Sequence, residues 1–148
     1  MKNLYAVRLA ALFLFVTSSV YSQRPVSVQP DKPLVFSQFP DKSECNIASL
    51  KNVFSSRSND NISIELGKFV FTGQIIEKVQ TPQVLSMNIR STNLSGAIFS
   101  ISIITLPDNK QKFTGQIINP QAGDVLVLTE ENNRYFLQKK PLKFFMTD

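Results

Sequence analysis

The chain has 148 residues, 43% of them hydrophobic, with 16 Lys+Arg against 11 Asp+Glu, one Cys, no His and no Trp. That length bounds the chain to a single modest domain. The missing histidine excludes Ser-His-Asp and Cys-His nucleophilic machinery and His-ligated zinc or haem, and much of enzyme chemistry goes with it.

Residues 1–22 carry Lys2 and Arg8, then the apolar run Leu9 to Val16, then Thr17, Ser18 and Ser19, with no acidic residue before Asp31. This order of basic, apolar and small residues predicts a cleaved export signal. The apolar run is far shorter than the roughly 18–20 residues that span hydrocarbon, and no later stretch is long enough either. Val20 and Ser22 fit the small-residue positions of a cleavage site that leaves Gln23 as the mature N-terminus. No Cys lies near that cut, so no lipid anchor is expected. The product is expected outside the cytoplasm, in a periplasm or extracellular space, with no transmembrane segment in the mature chain.

From 23 to 40 the chain holds Pro25, Pro30, Pro33 and Pro40. Each proline fixes φ and removes a donor, which predicts an extended lead-in where only Leu34-Val35-Phe36 has strand character. A single β-rich domain is expected from 41 to 148. Its first element reads as a helix over 42–54: Asp41 or Ser43 as cap, Glu44 in the first turn, and Ile47, Leu50 and Phe54 at helical spacing. Cys45 then becomes a small buried hydrophobe on that helix, with an intermolecular disulfide or a reactive thiol as the alternative. The polar run 55–61 closes the element.

After Asn61, short β-branched and aromatic runs alternate with turn clusters. The predicted strands are 62–66, 68–78, 83–91, 97–105, 111–119, 124–130 and 134–140. Their connections are too short for crossovers, so neighbours are expected to be antiparallel. The expected fold is mainly β: a meander of seven or eight strands curved into a barrel-like or two-layer sheet, with one helix in front.

Two words recur in order. Phe71-Thr72-Gly73-Gln74-Ile75-Ile76 returns as 113–118, and Ile62-Ser63-Ile64 returns as 101–103. The offsets are 42 and 39 residues, so one intervening turn is three residues longer, the one holding Pro107, Asp108 and Asn109. This pattern predicts tandem three-stranded units at about 62–91 and 101–130. Within each word the Phe, Gly and Ile share one face, and the Gly leaves room for a bend or for an aromatic ring lying across the backbone. Thr72, Gln74, Thr114 and Gln116 take the other face and form a candidate polar platform for an extended peptide or sugar.

No G-x-S-x-G, S-x-x-K or phosphate-cradling glycine motif occurs. Without His or a second Cys no metal site and no cofactor is expected. The surviving catalytic option is a facing pair of carboxylates, such as Glu65 with Glu77. Glu130 and Glu131 are adjacent in a strand and point apart.

Charge is lopsided. From 23 to 131 there are ten basic and ten acidic residues, so the mature excess sits in Arg134, Lys139, Lys140 and Lys143 against Asp148. Interleaved with aromatic residues, this end is either a contact for an anionic envelope surface, a polyanionic glycan or an acidic partner, or a closing strand whose Lys stems cover an edge. The net charge is too small for nucleic acid.

The leading expectation is a non-catalytic exported module of the cell envelope or extracellular space that recognises a protein or glycan. The alternatives are a carrier of a small apolar ligand inside a β-barrel and a carboxylate-dependent hydrolase. A carrier needs an apolar void, a hydrolase needs two facing acids, and a surface binder needs neither.

Overall fold

The computed structural model describes residues 32–142. The expected export signal, the first part of the lead-in and Lys143 lie outside the described residues. Strand β1 (Lys42–Cys45) leads into helix α1 (Ile47–Val53), followed by β2 (Asn61–Leu66), β3 (Phe69–Gln80), β4 (Val84–Ser91), β5 (Ile98–Thr105), β6 (Gln111–Ile118), β7 (Asp124–Glu131) and β8 (Arg134–Pro141). All pair antiparallel in one sheet of order β1-β8-β7-β6-β5-β4-β3-β2, curled into a half-barrel. The seven strands expected after Asn61 are all present, with ends within two residues of those the pattern predicts.

The start of the chain corrects two expectations. Residues 42–45 are a strand, and the helix is only 47–53. Its cap is Asn46, whose Oδ1 accepts the Ala48 N–H at 2.8 Å, in place of Asp41 or Ser43. The eighth strand is β1, whereas Leu34-Val35-Phe36 joins no strand. Tertiary pairing decides this: Lys42 to Cys45 lie opposite Gln138 to Tyr135, and the free edge of β8 offers a full ladder that an isolated helical turn cannot match. Cys45 is buried as expected, but from this strand.

One face of the sheet carries the core. Phe71, Ile75, Met87, Ile89, Phe99, Ile101, Phe113, Ile117, Leu126 and Leu137 are all buried there, with Leu50, Val53 and Phe54 of the α1 region packed against them. After Ile75 the β3–β4 register shifts, so Glu77 joins exposed Ile76 on the outer face and Lys78 falls opposite buried Met87. The Lys78 ammonium uses that position to donate to the Phe54 and Ser56 carbonyls, both at 2.8 Å, capping the end of α1.

The two sheet edges converge. A Cβ on Gly67, in the β2–β3 turn, would lie 1.9 Å from Ser43 Oγ and 2.9 Å from the Glu44 carbonyl oxygen of β1. Gly67 also has φ +71°, so both the turn and the close approach require glycine.

The repeated words take identical register. Ile62, Ser63 and Ile64 face Gly73, Thr72 and Phe71, and Ile101, Ser102 and Ile103 face Gly115, Thr114 and Phe113. The three extra residues fall in the 106–110 loop, where Asn109 has φ +60° and Asp108 accepts the Lys110 N–H. Phe71 and Phe113 are both buried and each meets an aromatic edge, Phe99 at 5.4 Å and Tyr135 at 5.3 Å.

Candidate ligand-binding cleft

The outer face of the sheet holds Thr72, Gln74, Thr114 and Gln116, but not as one platform. β4 and β5 separate β3 from β6, which places the two pairs about 14 Å apart at the usual strand spacing. Gln74 sits in the row of Arg90, whereas Gln116 continues the row of Ser100, Asn88 and Glu77. Thr72 is engaged with the Thr92 hydroxyl at 2.9 Å, and Gln74 Nε2 donates to the Asn59 carbonyl at 3.3 Å.

Between them runs a cross-strand ladder that the sequence reasoning missed. Asn88 Nδ2 donates to Glu77 at 2.6 Å, Ser100 Oγ donates to Asn88 Oδ1 at 2.7 Å, and the Ser86 and Ser102 hydroxyls lie 2.8 Å apart. Ser and Asn alternating with apolar residues in 84–91 and 98–105 carried that signal. These groups bond to one another, which spends donors and acceptors that a glycan would otherwise use.

The basic end is likewise drawn inward. Arg134 forks onto the Glu44 carboxylate, holding that carboxyl below its ordinary range and raising the guanidinium's own pKa. Arg134 and Lys42 both lie over the Phe136 ring, and Lys42 also pairs with Glu131 at 2.5 Å. Lys139 donates to the Phe39 carbonyl at 2.9 Å and pairs with Asp41 at 3.0 Å. Lys140 is half-buried beside Leu34 and Asp124.

Glu65 and Glu77 do not face each other. Glu65 faces Val70, and Glu77 lies seven residues further along β3, about 23 Å at the strand rise. Among the described residues no group of three Asp, Glu or Cys side chains is placed to hold a metal ion. Burial pushes the Cys45 thiol pKa up to about 11, which disfavours its thiolate at neutral pH.

The mouth of the curled sheet offers more. Residues 32–40 cross one end as a strap. Asp124, 3% exposed, accepts the Val35 and Phe36 N–H groups at 2.9 and 3.0 Å, one on each carboxylate oxygen. The Gly123 N–H donates to the Pro33 carbonyl at 2.9 Å. Phe36 enters the core fully buried and meets Phe39, which meets Phe69 at 4.6 Å, each edge to face. Beside this aromatic plug lies a cleft of about 640 Å³, walled by Phe39, Leu66, Phe69, Leu94, Leu126 and Leu137, with Gln38, Ser43 and Lys68 as its polar groups. Its volume falls in the range of roughly 300–1,000 Å³ usual for small-molecule sites.

A second recess of about 540 Å³ lies along the convergence of the two edges, lined by Glu44, Cys45, Glu65, Arg134 and Tyr135. Much of its polar lining is the Glu44–Arg134 pair, already satisfied within the chain. Among the described residues no helix is long and apolar enough to cross a membrane. Compared with protein-family models, curated proteins and solved structures, the chain matches none.

Proposed function

We propose that the protein is a small exported binding module, not an enzyme, and that it holds a small apolar ligand in the cleft at the mouth of the curled sheet. The observation that carries this reading is the cleft itself: a concave, largely apolar site with a few polar groups at its margin. It moves the weight from recognition of a protein or glycan by the outer face to a carrier role, because Thr72, Gln74, Ser86, Asn88 and Ser100 on the outer face and Arg134 and Lys139 at the basic end have partners within the chain. Export to the envelope or extracellular space is supported by the basic, apolar and small-residue order of residues 1–22.

The test is equilibrium binding of the neutral, environment-sensitive probe N-phenyl-1-naphthylamine to the purified chain. Saturable fluorescence enhancement at one site is expected. Leu94→Asp should abolish it while leaving the thermal melt cooperative, since Leu94 is a half-buried loop residue. Absence of saturable binding, or binding unchanged in Leu94→Asp, removes the proposal.

A further inference from the structure

The cleft carries a charge asymmetry that its walls do not explain. Among the described residues, Lys68 is the one ionised side chain lining it, and none of those lining residues is acidic. Lys68 belongs to the exposed turn between β2 and β3. None of the four ion pairs among the described residues includes it. Ser43 and Gln38 add neutral hydrogen-bonding groups to the lining. A cationic ligand would be repelled here and a neutral one gains nothing from the ammonium, whereas an anionic head group gains a charge-assisted hydrogen bond.

Resting on the reading of the cleft as the ligand site, we infer that its ligand is a small amphiphile with a single anionic head group, of the medium-chain carboxylate kind. The tail lies against the half-buried Phe39, Phe69 and Leu94, with buried Leu66, Leu126 and Leu137 behind them, and the head lies at Lys68. Both halves of the molecule are then matched, the tail by burial and the head by charge. Each buried methylene removes apolar surface from water, so affinity rises with chain length until the cleft is full.

The test titrates the purified full chain by calorimetry, below micelle concentrations, with straight-chain carboxylates of increasing length and with alcohols and amines of matched length. Carboxylates are expected to tighten about fourfold per added methylene. At equal length they should bind up to about fivefold better than alcohols, the scale of an exposed charge pair, with amines weakest. Lys68→Met should bring carboxylates down to the alcohols and leave the alcohols unchanged, a pattern that a purely structural role for Lys68 does not produce. Equal affinity for all three head groups, or a carboxylate preference that survives Lys68→Met, overturns the head-group assignment and leaves the apolar-ligand reading standing. No binding by any of them overturns both. Binding that weakens as protein concentration rises would give the cleft to a second copy of the chain and overturn the inference as well.

Discussion

Cys45 is 3% exposed on β1, and its thiol pKa is raised from 9.0 to about 11, chiefly by burial. The thiolate is the reactive form, so a rise of this size lowers its population at pH 8 by about a hundredfold, before any steric shielding. Ellman's reagent at pH 8 should therefore react at least that much more slowly with the native protein than with the protein in urea. Similar rates in the two states would show that Cys45 is accessible. The sign of the linkage follows from a folded pKa above the unfolded one. The stabilising contribution of the buried thiol is complete below pH 9 and is lost as pH rises from there through about 11. The burial of Cys45 was legible from residue type, since an unpaired Cys is among the most buried residues. Its place on a strand was not, because four residues of mixed polarity carry no period of their own.

Among the elements, the repeated hexapeptide was the clearest signal, and the reason is steric. A Cβ on Gly73 would lie 2.5 Å from the Arg90 carbonyl oxygen, and one on Gly115 would lie 2.7 Å from the Ser100 carbonyl oxygen. Both contacts are to the backbone of a neighbouring strand, which cannot swing aside. Aromatic rings close the same spaces, Phe71 at 3.1 Å from the Gly73 position and Phe99 at 3.3 Å from the Gly115 position. Gly73→Ala and Gly115→Ala should each destabilise the fold by about 1–3 kcal/mol, the usual range for overpacking. Urea unfolding measures both. A loss at one site with none at the other would show that the matching register does not make the two positions equivalent. The strands were readable because alternation and turn residues are local properties. The helix start was misplaced for the converse reason: Asp41, Ser43 and Glu44 have the composition of a helix entrance, yet β8 supplies a ladder from about 90 residues away in sequence, set by the Cys45–Tyr135 register.

For the whole molecule, the strap decides how the half-barrel ends. Phe36 is fully buried, and the Asp124 carboxylate holds the backbone beside it with two hydrogen bonds. Asp124→Ala leaves two N–H groups without their acceptor, and should destabilise the protein by about 2–4 kcal/mol, given roughly 1–3 kcal/mol for a buried group left unsatisfied. Asp124→Asn keeps one acceptor oxygen and should lose less. Denaturant midpoints compare them, and an unchanged midpoint for Asp124→Ala would mean that the strap is not part of the cooperative fold. The cleft belongs to this scale too, since Phe39 of the strap walls it beside Leu66 of β2 and Phe69 of β3, Leu94 of the β4–β5 loop and Leu126 and Leu137 of β7 and β8.

By itself the sequence determined the meander from β2 to β8, its strand ends to within two residues, the alternation of faces up to the irregularity after Ile75, and the repeat, all of which follow from spacing between near neighbours. Tertiary structure alone decided that β1 completes the sheet beside β8, that the proline-containing lead-in folds into the core through Phe36, that Arg134 and Lys139 are matched internally by Glu44 and Asp41, and that an apolar cleft opens beside Lys68. Each of these joins residues from distant parts of the chain. Curling the sheet until its edges approach at Gly67 is what brings them together; a curved sheet was legible in the sequence, but which distant residues the curvature joins was not.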